Sequence, residues 1–353
     1  MMPPLPPKFA PEGGGAKKQR GRSRDFTPLP WTDFFDKKQE LNIGSDKFNV
    51  YLKGSSGPVF YLLHGGGYSG LTWACMSEEL TTRIECRIVA PDLRGHGDTK
   101  TDGDNDLSTD RQVQDIASIY THLFPQDPPP TFVVGHSMGG ALAVHVTNRQ
   151  LIPHLIAVGV IDVVEGSAMD ALHGMTNFLR GRPSHFESVE AAIEWCVKTG
   201  TVRNVRAARV SMPAQVQPST APPGSVLNDM VEEREGEEEE ASSTPAAAST
   251  VCEWRIDLLQ SEQYWTGWFK GLSQLFLGVP APKLLILAGV DRLDKDLTVG
   301  QMQGKFQMIV LPKVGHAVHE DSPDRLADAI TTFCVRNKFC EAIGDYHPVY
   351  PGC

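Results

Sequence analysis

Residues 131–140 read TFVVGHSMGG, and this stretch limits the chain's options more than any other. An apolar, β-branched run ends in a serine, Ser137, with Gly135 two positions before it and Gly139 two after. A helix-forming segment, MGGALAVHVTNRQ, follows at once. A serine on so sharp a strand-to-helix turn takes a strained backbone, and side chains on the flanking residues would collide with the neighbouring strand and helix. Glycine removes the collision and lets the hydroxyl project from the carboxyl edge of a sheet. The pattern is G-x-S-x-G in its required setting, strand before and helix after. A serine capping an ordinary helix in a glycine-rich turn has the same local appearance, so the decision lies elsewhere in the chain.

The surrounding segments alternate between strand and helix. DKFNVYL, PVFYLL, CRIVAP, TFVVGH, LIAVGVI, KLLIL and FQMIV are short apolar runs of strand length. Between them lie helix-period segments such as STDRQVQDIASIYTHLF, with Ser108 placed as a cap, and DRLADAITTFCVRNKF, apolar at 326, 329, 330 and 333. Runs apolar on both faces and separated by helices imply a mostly parallel sheet covered on both sides, the α/β class. The rhythm breaks over 165–275, where SVEAAIEWCVKTG and EQYWTGWFKGLSQLF read as helices of a cap insertion. Within it, about 213–250 is polar and carries a glutamate run, which reads as a disordered acidic loop. Residues 1–25, rich in Pro and Gly, read as a flexible tail, and 26–353 as one interrupted domain. Lys17, Lys18, Arg20, Arg22 and Arg24 in the tail have the composition of a nuclear import signal.

Composition narrows the function. The net charge of −10 argues against nucleic acid as a partner. No apolar stretch is long enough to span a membrane, and the N-terminus lacks the apolar core of a secretory signal. Seven scattered cysteines without a C-x-x-C pair fit a reducing compartment. No H-e-x-x-H or similar metal spacing is present, and no cofactor is implied.

Three features favour a reactive Ser137. HGGG at 64–67 follows the strand PVFYLL, as an oxyanion-binding loop would, with Gly66 and Gly67 as candidate donors beside the Met138 amide. It lacks the G-K-[ST] ending of a phosphate loop. His316 in VGHAVHED lies between the last strand and the last helix, where a general base must arrive; His319 is its rival. His136 adjoins the serine but points to the other face. Asp162 and Asp291 both end strands at the same edge, either can orient the base, and spacing does not separate them. Generic α/β-hydrolase order favours Asp291. Asp92, Arg94 and His96, in PDLRGHGDTK, read as structural groups that hold loops near the site.

Beyond these motifs, RDFTPLPW, LLHGGGYSG, CRIVAPDLRGHGDTK, IDVVEGSAMDAL, NFLRGRPSHF, WFKGLSQLF, GVDRLDKDLTVGQMQGKFQM, GHAVHED and the terminal PGC together resemble the protein phosphatase methylesterases. The resemblance runs from about residue 24 to the end, apart from the acidic loop. It implies an α/β-hydrolase that removes the methyl ester from the C-terminal leucine of the type 2A protein phosphatase catalytic subunit. It sets the nucleophile on Ser137, the base on His316 and the acid on Asp162, against the generic preference for Asp291. It also implies that the pocket opens on docking with the phosphatase and that the triad is misaligned in the free chain. Gly95 and Tyr68 stand where the family pattern carries other residues. Tyr68, Trp265 and Trp268 are candidate contacts to substrate or partner. Leu227, Met230 and Glu232 in the acidic loop fit a short linear motif of the kind read by regulatory B-type subunits. A soluble protein of the cytoplasm or nucleus is the implied setting. A general serine esterase, or a protein that sequesters inactive phosphatase, are the competing readings.

Overall fold

Strand residues of this chain alternate between two apolar faces, and the sheet they build is packed on both. In the computed structural model, which describes residues 24–219, 250–289, 293–344 and 346, Phe60 and Leu62 face one core while Tyr61 and Leu63 face the other. That is the two-residue period of a strand applied to a sheet with no solvent face.

The main sheet has eight strands: β1 (Lys37–Ile43), β2 (Asp46–Lys53), β3 (Val59–Leu63), β4 (Arg87–Pro91), β5 (Thr131–His136), β6 (Leu155–Ile161), then β10 (Lys283–Leu287) and β11 (Gln307–Val310). Their order is β1-β2-β4-β3-β5-β6-β10-β11. β1 and β2 pair antiparallel, as do β2 and β4, and every other neighbouring pair is parallel. The intervening β7 (His185–Phe186), β8 (Val216–Pro218) and β9 (Cys252–Trp254) form a separate antiparallel sheet in the order β7-β9-β8.

The helices are α1 (Ala74–Thr81), α2 (Thr109–Leu123), α3 (Met138–Asn148), α4 (Glu165–Arg180), α5 (Val189–Lys198), α6 (Val205–Ser211), α7 (Glu262–Phe269), α8 (Leu272–Gly278), α9 (Lys295–Met302), α10 (Val318–Asp321) and α11 (Pro323–Arg336). α1 and α11 cover one face of the main sheet, and α2, α3 and α8 the other. Ser108 caps α2 through the Arg111 amide, as its position in the sequence predicts.

Four sequence expectations need correction. The regular pattern begins at Lys37 rather than near Asp46: β1, KKQELNI, is an edge strand whose lysines and glutamate mask its strand character. The insertion is not all helical, because β7, β8 and β9 are two or three residues long, too short to leave a period. Residues 213–219 are not loop: they carry the end of a 3-10 turn and β8, with Val216 buried in the core. EQYWTGWFKGLSQLF is two helices, broken where Gly271 takes φ 79°, a left-handed conformation that glycine adopts freely. The amides of Gly271 and Ser273 then donate to the Glu165 carboxylate at 2.8 and 3.1 Å, which ties α8 to the start of α4.

Candidate active site

Ser137 sits between β5 and α3 with φ 52° and ψ −120°, the strained turn that the sequence implies. The close packing that enforces it is measurable. A side chain on Gly135 would bring Cβ within 2.0 Å of the Gly139 carbonyl oxygen. One on Gly139 would meet the carbonyl oxygens of Leu63 and His64 at 2.3 and 2.4 Å. The Ser137 amide donates to the Ile161 carbonyl at 3.1 Å, so the turn is locked to β6.

Asp162 follows β6 directly and also has a positive φ, 52°. Its amide donates to the Ile286 carbonyl (2.8 Å), and its Oδ1 accepts from the Ala288 amide (2.9 Å). Its Oδ2 accepts from His316 Nδ1 at 2.8 Å. The Asp162 side chain is wholly buried, whereas that of His316 is 49% exposed. Thus an imidazole at the rim is oriented from beneath by a carboxylate fixed between β6 and β10. With its Nδ1–H committed to Asp162, the imidazole keeps Nε2 for another partner. Ser137, Met138 and His316 line one cavity of about 370 Å³. Among the described residues Ser137 Oγ makes no hydrogen bond to His316.

The rival groups fall elsewhere. His319 is fully buried and does not line the cavity; its Nε2 is 2.7 Å from Thr72 Oγ1. His136 is also buried, and its Nε2–H donates to the His316 carbonyl at 2.9 Å, so it anchors the loop that carries the rim imidazole. Burial pushes the pKa of both histidines down, that of His319 to about 3, so they are neutral. Asp291 lies outside the described residues, as do Leu227, Met230 and Glu232.

The HGGG loop divides its amides unequally. Gly67 N–H donates to His96 Nε2 at 2.9 Å, and His96 Nδ1–H donates to the Arg94 carbonyl at 2.8 Å. Gly67 is therefore corrected from candidate oxyanion donor to anchor, because its hydrogen is already spent on an imidazole. Gly66 and Met138 remain: both line the cavity, no described residue accepts from the Gly66 amide, and the first amide of α3 has no acceptor within its own helix. A second imidazole, His64, accepts from the Leu93 amide (2.9 Å) and donates to the Gly65 carbonyl (2.8 Å). Burial lowers the pKa of His96 to about 4 and holds that of His64 well below its usual value. Arg94 is paired with Asp46 and Asp115. Asp92 accepts from the amides of Gly70 and Asp98 and from the Asn49 side chain. Their structural role is as the sequence predicts.

Trp265 and Trp268 line the cavity but are 5% and 4% exposed, too buried to act as surface anchors. Their indole N–H groups donate to Ser261 Oγ and the Leu107 carbonyl, both at 2.7 Å; the first bond stays within the insertion and the second ties it to the segment before α2. Tyr68 lines the cavity and stands edge-on to His136. Sequence reasoning missed α4. None of its sixteen residues is buried, yet Leu172, Met175, Phe178 and Leu179 line the cavity from above. Their three- and four-residue spacing was available as a signal. It also missed Leu258, which covers Gly66 and Gly67.

Among the described residues no cluster of His, Cys, Asp or Glu has the form of a metal site, and no helix is long and apolar enough to cross a membrane. What remains is a hydroxyl, an oriented imidazole and two convergent amides in an apolar cavity, a set suited to acyl transfer.

A model of the alpha/beta hydrolase family matches residues 60–329. Protein phosphatase methylesterase 1 of Mus musculus is 50% identical, over 99% of this chain and 96% of its own length. The probable protein phosphatase methylesterase 1 of Caenorhabditis elegans is 55% identical, over 91% and 81%. Among solved structures, E-2-(acetamidomethylene)succinate hydrolase superposes with a TM-score of 0.64 at 20% identity, covering 85% of this chain and 99% of that one. An esterase of Mycobacterium tuberculosis gives 0.59 at 21%, covering 85% and 92%. The two structures establish the fold, and the two relatives establish the branch: the chain is a hydrolase that belongs to the protein phosphatase methylesterase family.

Proposed function

We propose that this enzyme removes the methyl ester from the C-terminal leucine of the type 2A protein phosphatase catalytic subunit. Ser137 Oγ attacks the ester carbonyl as His316 Nε2 takes its proton, and Asp162 steadies the imidazolium through the Nδ1–H bond. The Gly66 and Met138 amides hold the tetrahedral oxyanion, where one donor is typically worth about 10²–10³ in turnover. His316 returns its proton to the leaving methoxide, and methanol departs. Water, deprotonated by the same imidazole, then attacks the acyl-serine and releases the carboxylate.

The observation that carries the reading is the 2.8 Å bond from His316 to buried Asp162 at the mouth of the cavity that Ser137 also lines. The absent Ser137–His316 bond fits an enzyme completed by docking, in which the phosphatase seats the tail and draws the hydroxyl to the imidazole. Regulatory B-type subunits enter this reading as partners of the segment carrying Leu227, Met230 and Glu232, and the cytoplasm or nucleus as its setting. The tail 1–25, the cap over 165–275 and the acidic segment within it belong to the same reading.

A fluorophosphonate probe followed by mass spectrometry tests the nucleophile: the label is expected on Ser137 and absent from Ser137→Ala, whose turnover falls about 10⁴-fold or more. Label on another residue would overturn the triad. Hydrolysis of a small activated ester as fast as that of the methylated phosphatase would overturn completion by docking.

A further inference from the structure

Among the described residues that line the cavity, one carries a charge that the proposed chemistry does not use. Arg182 lines the cavity, just beyond α4, together with Ser137 and His316. The Arg182 guanidinium lies 3.4 Å above the centre of the Trp254 ring. That ring is itself fixed: its Nε1–H donates to the Pro183 carbonyl at 2.8 Å, and Phe186 and Trp195 pack edgewise against it at 5.3 and 5.6 Å. Stacking occupies a face of the guanidinium and leaves the in-plane N–H groups along its edges. No described residue accepts from them and no described carboxylate pairs with the group. Asp257 acts on it only as a more distant field, and its carboxylate already accepts from the Leu259 amide.

Arg94 shows what this chain does with a buried arginine that is purely structural: carboxylates of Asp46 and Asp115 answer it at 2.9 and 2.7 Å. Arg182 is half-buried, and among the described residues no acid answers it. Desolvation lowers its pKa only to about 10, so it stays cationic at neutral pH. A cation held flat in an apolar cavity of a chain with net charge −10 is a costly arrangement unless an anion joins it in the working complex. The reaction restricts what that anion can be. A polypeptide methyl ester has lost its terminal carboxylate, so the carboxylates it retains are those of aspartate and glutamate side chains.

We propose that Arg182 is a specificity-determining residue that receives an acidic side chain of the polypeptide substrate a few residues before the ester. A guanidinium edge offers two parallel N–H donors, the geometry that carboxylates take up best. The proposal rests on the methylesterase reading above and adds a charge requirement to it.

The test uses the full chain and the methylated phosphatase catalytic subunit, with a single Asp or Asn placed at each tail position just before the leucine methyl ester in turn. The readout is the ratio of kcat/KM for each Asp substrate to its Asn partner. At one position the wild type is expected to favour Asp about tenfold or more, a factor that one charge-assisted pair readily supplies. Arg182→Gln should bring that ratio to about one, and Arg182→Lys should restore part of it. A purely structural role for Arg182 would lower both members of each pair together and leave the ratio unchanged, which would overturn the assignment. A wild-type ratio near one at every position would also overturn it, whether the guanidinium is idle or is answered by an acid of this chain outside the described residues. Failure to release methanol from any of these substrates, while a small activated ester is still hydrolysed, would instead remove the methylesterase reading and this proposal with it.

Discussion

The rim of the main sheet and the insertion above it meet at one cavity but are built on opposite terms. At the rim, backbone geometry is over-determined. Ser137 and Asp162 take positive φ, and imidazoles accept from backbone amides at Leu93 and Gly67. In the insertion, α4 crosses the cavity with no buried residue, Phe178 is 60% exposed, and no described acid pairs with Arg182. The rim carries groups that must be placed to a fraction of an ångström for chemistry. The insertion carries the surfaces that, on the proposed function, would meet a substrate, where adaptability has use and tight packing does not. The same cavity therefore has a rigid floor and a lightly anchored roof.

The largest expected separation of the two comes with acid. His64, His96, His136 and His319 are buried in the rim and its support, and burial depresses the pKa of each, to about 4 for His96 and about 3 for His319. A histidine whose folded pKa lies below its unfolded value of about 6.5 costs nothing above that pH. As pH falls below about 6.5 the unfolded chain binds the proton first, and each such group removes up to about 1.4 kcal/mol per pH unit until its folded pKa is reached. Protonation would also set a donor against the Leu93 and Gly67 amides, which now donate to His64 and His96. Unfolding free energy measured in urea should fall steeply from pH 7 to pH 5. Hydrogen exchange should show the β3–β5 rim losing protection over that range while α4, whose only histidine, His173, is exposed, changes little. Stability flat across this window would break the contrast.

Next in size is one substitution made in the floor. Gly139→Ala drives a methyl to 2.3 and 2.4 Å from two carbonyl oxygens at the end of β3. Neither the oxygens nor α3 can yield without moving the HGGG loop. Overpacking of this kind costs about 1–3 kcal/mol, and displacement of the Ser137 turn is expected to lower turnover at least about 10²-fold. Thermal unfolding and ester hydrolysis measured together would check both.

The same asymmetry governs how much of this molecule was legible in its sequence. The floor was readable because backbone strain leaves glycine signatures: GHSMGG located Ser137, HGGG located the loop below it, and apolar runs located seven of the main strands. Choosing Asp162 over Asp291 was beyond spacing, since both end strands at one edge; it took the family resemblance, and the bond to His316 is made by tertiary contact alone. Gly67 was misread because nothing local shows that a histidine twenty-nine residues on will take its amide hydrogen. β1 escaped notice because a charged edge strand has little apolar alternation. The roof was the least legible part. Strands of two or three residues leave no period, and half-exposed Leu172, Met175 and Leu179 do not read as core.

The smallest effect is the most discriminating, because it repeats the floor substitution in the roof and expects the opposite sign. Gly174 lies inside α4, and a Cβ built on it meets nothing within 4 Å. A methyl there meets no steric cost, and alanine gives up less backbone freedom on folding than glycine does. Gly174→Ala is therefore expected to stabilise the protein by about 0.5–1 kcal/mol, read as a higher urea midpoint at unchanged slope. The functional consequence tests whether the roof moves. If a polypeptide tail enters by bending α4, the stiffer helix should lower kcat/KM for the methylated phosphatase a few-fold while the stability rises. Equal kcat/KM would mean that the tail passes beneath a helix that keeps its shape, and that looseness in the roof lies in its anchoring by Glu165 to the Gly271 and Ser273 amides rather than in the helix itself.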